Sequence, residues 1–181
     1  MQILNRFTAR PFNLAYEAWQ HFGRAGRELD LFEFLFPVAN KTRFFELFGK
    51  AGFHEYQMLF PAGRFAGAVA RIRREVERRR VPITLASCKL FRGAQSLLRF
   101  DGSGVCLAFD FLRNVESAAF ATFLDEVVMD RGGIPNVAKD SRLPREVVVR
   151  CYPEYEKFRG ELARFDPRRL YRSAISERLL L

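Results

Sequence analysis

The sequence predicts an α+β domain: a mainly antiparallel sheet with helices packed on one face, followed by a C-terminal helical segment. Three observations lead there. Segments of strand length that alternate or run apolar interleave with segments of helical spacing, in the order strand, helix, strand, helix, strand, strand, helix, strand. That order is close to two split strand-helix-strand units, whose helices share one side of the sheet. Finally, 181 residues with 49% hydrophobic content and twenty Phe can bury one full, aromatic core.

Residues 1–28 put Phe12, Tyr16 and Trp19 on one helix face and close in the flexible join GRAGR, which reads as a docking segment. Residues 29–134 carry the sheet. LDLFEFLF predicts its first strand, and Asn40 is a fair N-cap for a helix with Phe44, Phe45, Leu47 and Phe48 that stops at Gly49 or Gly52. FHEYQMLFP predicts a second strand with Phe53, Glu55, Gln57 and Leu59 on one side. Phe65, Val69, Ile72 and Val76 form the apolar stripe of a long, Arg-rich helix. VPITLASCKLF and GVCLAFDFL are two further strands about a Gly-rich turn at residues 101–104. Phe120, Phe123, Leu124, Val127 and Val128 give the cleanest helical stripe, ended by Gly132 and Gly133, and IPNVA is a short, edge-like strand limited by Pro135.

Residues 135–181 change in style. Pro144 suits the first turn of a helix with Val147, Val148, Cys151 and Tyr152 on one face, and Pro153 breaks it. A further helix carrying Tyr155, Phe158, Leu162 and Phe165 ends at Asp166-Pro167. The tail RRLYRSAISERLLL is too apolar to lie free in water, so both ends of the chain are expected to pack on a further body.

Composition narrows the function classes. The net charge is +9, densest between Arg64 and Arg80, where seven Arg face two Glu. A basic helix of this kind is a solvated face or a site for an anionic partner, which keeps a non-catalytic binding module as the alternative reading. No nucleic-acid-binding signature accompanies it, so nucleic acid is not expected. Cys88, Cys106 and Cys151 are widely spaced within apolar runs and read as buried free thiols of a reducing, cytoplasmic compartment. With His21 and His54 the only histidines, no metal site is expected. No run of about 18 apolar residues is present to span a membrane, and no Walker loop or GxGxxG follows a strand. The surplus of aromatic rings leaves a homo-oligomer open.

One stretch stands apart. In NVAKDSRLPREVVVRCYPEY, residues 136–155, a Lys-Asp-Ser-Arg turn joins a short strand to a helix. From composition it is either solvated punctuation or the presentation of a cation. Gln57 and Lys89 are polar residues inside otherwise apolar strands, which need partners or water if buried. Phe91 and Cys106, read from composition, are packing residues.

The stretch AKDSRLPREVVVRCYPEYEKFRGELARFDPRRLYRSAISERLLL resembles the C-terminal end of the vanillyl-alcohol-oxidase-type FAD-linked oxidoreductases. The shared elements are the A-K-D-S-R turn, a helix ending in Tyr-Pro, a late D-P step and a Ser-to-Leu tail. Upstream, EYQMLFP and CKLFRG resemble the family's Y-Q-x-x-x-P and K-L-F-G strands, in the same order. The likeness is strongest to the family's ribose oxidases, with the aldonolactone oxidases as more distant relatives. It implies that residues 29–134 form most of the substrate, or cap, domain of a FAD-dependent oxidoreductase acting on a CH-OH group of a sugar, polyol or aldonolactone-like molecule. Residues 135–181 would return to a FAD-binding domain or subunit not contained in this chain, so the chain alone is expected to be inactive. Lys139 would lie at the flavin ring edge as the catalytic cation, with Asn136 at the cofactor where relatives carry Tyr. Gln57, Lys89, Phe91 and Cys106 would line the substrate cavity. Cys106-Leu107-Ala108 stands where the ribose oxidases have an Asn-x-Cys pair, a departure that bears on the substrate more than on the reaction type.

Overall fold

The computed structural model describes residues 4, 5, 7–22, 28, 30–32, 46–140 and 142–181. Helix α1 (Ala9–Phe22) precedes strand β1 (Phe53–Phe60), helix α2 (Ala62–Arg79), strands β2 (Ile83–Phe91) and β3 (Gly104–Leu112), helix α3 (Val115–Asp130) and strand β4 (Ile134–Pro135). Three helices follow, α4 (Arg145–Cys151), α5 (Tyr155–Phe165) and α6 (Ala174–Arg178).

The four strands lie in the order β2-β3-β1-β4, and every neighbouring pair is antiparallel. β1 reaches β2 through α2 with β3 between them, and β3 reaches β4 through α3 with β1 between them. These are two interlocked split β-α-β units, the ferredoxin-like arrangement. The α+β expectation of an antiparallel sheet with helices on one face therefore describes the fold.

Alternation sorts the side chains. The even-numbered Tyr56, Met58 and Phe60 of β1, with Leu107 and Phe111 of β3, pack against Ala68 and Ile72 of α2 and Phe120, Leu124, Val127 and Val128 of α3. Each large side chain fully withdrawn from water contributes about 1.5 to 3 kcal/mol, so this layer holds both helices to the sheet. Helix α3 is delimited by chemistry: Asn114 and Ser117 form a reciprocal capping box at its start, and Gly132, at φ +60°, turns the chain away at its end. Gly104 is obligatory for packing, because a Cβ there would come within 2.0 Å of the Phe60 carbonyl oxygen.

A second core joins the C-terminal helices to the sheet edge, around Leu143, Val147, Val148, Tyr152, Tyr155 and Leu179. The Tyr152 hydroxyl donates to the Pro135 carbonyl at 2.6 Å, and the Tyr155 hydroxyl donates to the carbonyl of Leu179. Ser173 and Ser176 cap α6 reciprocally. In the tail, Leu179 is fully buried against this chain's own helices, whereas Leu180 and the stacked pair Phe165 and Tyr171 are exposed.

Other differences are local. Leu31 and Phe32, within the first expected strand, are helical; Leu29 and residues 33–36, and Asn40, Phe44 and Phe45, lie outside the described residues. The IPNVA strand shortens to Ile134–Pro135 because the chain turns at once, with Lys139 N donating to Asn136 O. Pro144 sits at the N-cap of α4 rather than inside it. Cys88 is exposed, since its edge strand β2 is poorly covered, whereas Cys106 is buried. On α1, Phe12, Tyr16 and Trp19 are all exposed, and Asn13 ties the helix to the Ile83 carbonyl at 2.9 Å. No helix among the described residues is long and apolar enough to cross a membrane.

Candidate functional site

The odd-numbered residues of β1 face away from α2 and α3, and cross-strand register carries that face across the sheet. Lys89 pairs with Cys106, which pairs with Leu59; Ser87 pairs with Ala108, which pairs with Gln57; Leu85 pairs with Asp110, which pairs with Glu55. Phe91 lies on the same face opposite Gly104 and meets Phe100 edge to face. Gln57, Lys89, Phe91 and Cys106 therefore share one sheet face, spread over its three long strands.

Asn136 and Lys139 join them from the turn after β4. Asn136 extends the β4 edge by donating its backbone N–H to the Gln57 carbonyl at 2.9 Å, and its side-chain amide donates to Gln57 Oε1, also at 2.9 Å. Gln57 Nε2 donates to Glu55 Oε1, and Lys139 Nζ donates to Glu55 Oε2 at 3.3 Å. The result is a continuous polar chain, Asn136–Gln57–Glu55–Lys139, in which Glu55 is the common acceptor. The Lys139 side chain is 50% exposed, so its ammonium remains within reach of a further group. Lys89 and Phe91 stand outside this chain, on the far strand.

The turn can hold Lys139 there because its neighbours are moored on the opposite side. Arg142 binds the buried Asp125 of α3 with both terminal nitrogens, at 2.7 and 3.0 Å, and Asp140 at 2.9 Å. Asp140 in turn accepts from the backbone N–H of Arg142 and Leu143. The Tyr56 hydroxyl donates to Asp125 at 2.6 Å, and the Arg142 guanidinium lies over the Tyr56 ring. Burial opposes the Arg142 charge, but the hydrogen bond and charge of Asp125, then of Asp140, prevail and hold its pKa above the ordinary value. Burial, and then the charge of Asp125, push the Tyr56 phenol well above its usual range. Arg142, braced by Asp140, thus moors the A-K-D-S-R turn to α3 at the carboxylate that Tyr56 of β1 also holds, and Lys139 reaches the sheet face.

Two carboxylates on this face escaped the sequence reading as site residues. Glu55 and Asp110 are directly opposed across β1 and β3. Asp110 is only 9% exposed as a residue, yet its carboxylate oxygens still reach solvent. Burial, reinforced by the Glu55 charge and opposed by Lys139, raises its pKa to about 6. The signal was present in the sequence: both are charged residues inside apolar strands, the criterion that singled out Gln57 and Lys89.

The basic helix offers less than its composition suggests. Arg73, Arg78 and Arg79 are paired with Glu77 or Glu75 on α2 itself, and Arg71 with Asp130 of α3. No group of three or more potential metal ligands gathers among the described residues.

The chain is similar to an oxidase. Over 185 aligned residues, 99% of it matches a decaprenylphosphoryl-beta-D-ribose oxidase of Mycolicibacterium smegmatis at 28% identity. It spans 39% of that protein's length, consistent with a C-terminal part of such an enzyme. No family model matches the chain. The likeness to the oxidase agrees with the resemblance carried by the A-K-D-S-R turn and the strand motifs, and it runs through the sheet face as well as the C-terminal helices.

Proposed function

We propose that this chain is the substrate-domain portion of a FAD-dependent oxidoreductase that acts on a carbinol of a sugar or polyol. The observation that carries the reading is the gathering of Gln57, Asn136 and Lys139 into one hydrogen-bonded chain on the sheet face that also holds Lys89, Phe91 and Cys106. Strands and a turn more than 70 residues apart in sequence converge there.

The donor set suits a flavin edge: a half-exposed ammonium beside two carboxamides can meet the carbonyl oxygens and ring nitrogens of an isoalloxazine. FAD, when bound, supplies the two-electron acceptor. Lys139 holds positive charge where negative charge develops on reduction, an interaction stronger in the transition state than before it. Glu55 positions that ammonium, and Gln57 and Asn136 fix one another's orientation. Most contacts to FAD are assigned to an FAD-binding domain or subunit outside these residues, in line with the chain's 39% share of the oxidase.

The test is reconstitution. The chain is mixed with a separately expressed FAD-binding half and anaerobic flavin reduction by candidate sugars and polyols is followed from the flavin absorbance. Reduction that requires both halves and fails with Lys139→Ala supports the reading. Flavin reduction untouched by Lys139→Ala would remove Lys139 from the mechanism.

A further inference from the structure

We propose that a cationic cavity at the end of the sheet where α2 stops and α3 begins binds a phosphate monoester with an apolar alcohol group. The cavity shares no residue with the polar chain Asn136–Gln57–Glu55–Lys139, and the inference does not rest on the oxidoreductase reading.

The argument begins with shape and charge at one place. A cavity of about 740 Å³ lies between the connection from α2 to β2 and the connection from β3 to α3, within the roughly 300 to 1,000 Å³ of small-molecule sites. Arg79, Arg80 and Arg113 line it, against Glu116 as the one carboxylate of the lining. These arginines differ from the paired ones along α2. Arg79 is held in place by Glu75, whereas Arg80 and Arg113 form no ion pair among the described residues, so two guanidiniums are left with their donors to offer. Asn114 and Ser117, the capping pair of the 16-residue α3, also line the cavity, which puts the positive end of that helix beside the same space.

The lining fixes the class of ligand. Three guanidiniums against one carboxylate leave a surplus of two positive charges, which matches the charge of about −1.5 to −2 on a phosphate monoester at neutral pH. A guanidinium fork meets two phosphate oxygens at once, so Arg80 and Arg113 can each bind bidentately. A single carboxylate fills only half of that demand. The rest of the wall is apolar: Phe7, Val81, Pro82 and Leu112. The Phe7 ring is 72% exposed and has water to lose to a ligand, so the group esterified to the phosphate is apolar or aromatic.

The experiment uses the full chain with phenyl phosphate as the probe, and with inorganic phosphate and benzoate as comparators that lack the ring or the second charge. Calorimetry reads affinity, and backbone amide shifts read the place. Phenyl phosphate is expected to bind saturably, one per chain, and to move the amides of residues 112–117; each comparator should bind about tenfold more weakly. Arg80→Gln and Arg113→Gln should each weaken phenyl phosphate about tenfold while leaving the unfolding midpoint unchanged. Arg74→Gln removes the same charge from an exposed position of α2 outside the cavity and should leave the affinity as it was. An equal loss in Arg74→Gln would mean that the diffuse field of the basic helix binds the anion and would overturn the site. So would the absence of saturable binding, benzoate binding as tightly as phenyl phosphate, or shifts at Gln57 and Asn136 with residues 112–117 unmoved.

Discussion

Arg142 grips both carboxylate oxygens of Asp125, at 2.7 and 3.0 Å, and that carboxylate is almost wholly out of water. Removing one partner strands the other, so Arg142→Met is expected to destabilise the fold by about 3 to 5 kcal/mol. The double replacement Arg142→Met with Asp125→Asn should recover a good part of that loss. Urea unfolding midpoints at constant slope provide the measurement, and a loss below about 1 kcal/mol for Arg142→Met would mean the pair does not anchor the turn to α3.

Asp110 gives the stability curve a definite slope. Its folded pKa of about 6 lies above the ordinary carboxylate value, so the folded state binds the extra proton. Stability therefore falls as pH rises from about 4 through about 6 and then levels off, by about 1 to 3 kcal/mol in all. Asp110→Asn should flatten that segment of the curve and raise stability above pH 6. A wild-type curve that rises through this window would contradict the raised pKa.

Lys139 should separate function from folding. Its ion pair with Glu55 is half exposed, and such pairs contribute about 0 to 1 kcal/mol. Lys139→Ala is therefore expected to leave the unfolding midpoint nearly unchanged, while flavin reduction in the reconstituted protein drops about a hundredfold or more. A large stability loss with little effect on reduction would reverse the assignment.

The cysteines should label in sequence. Cys88 is exposed on the edge strand, whereas Cys106 is buried and its thiol pKa is raised by burial. Burial pushes the Cys151 thiol up to about 11. A maleimide at neutral pH is expected to modify Cys88 first, with Cys106 and Cys151 reacting only on unfolding. Peptide mass spectrometry reads the order, and early labelling of Cys106 would place it at the surface.

The sequence made the sheet legible where period-2 alternation had one buried side, as on β1, where Tyr56, Met58 and Phe60 face the helices. It made α2 and α3 legible through stripes at helical spacing. It was less informative near Leu31 and Phe32, where a short apolar run suits strand and helix equally and these two residues are helical. The candidate site was half visible. Polar residues in apolar strands marked Gln57 and Lys89, but the roles of Glu55 and Asp110 depend on their being opposed, and that register is a long-range property. Likewise, Asp140 and Arg142 carried no local sign of their anchor, because Asp125 lies on another element as an ordinary acidic residue of a helix.

After β4, Arg142 reaches inward to Asp125 of α3 with Asp140 beside it, and Lys139 reaches Glu55 on the sheet face. Anchorage and the proposed chemistry thereby fall to neighbouring residues with little overlap. On the proposed role, exchange of Lys139 would leave a folded protein with altered reactivity, whereas loss of Arg142 would weaken the fold by about 3 to 5 kcal/mol. A lineage could therefore explore new chemistry at position 139 while positions 140 and 142 stay fixed.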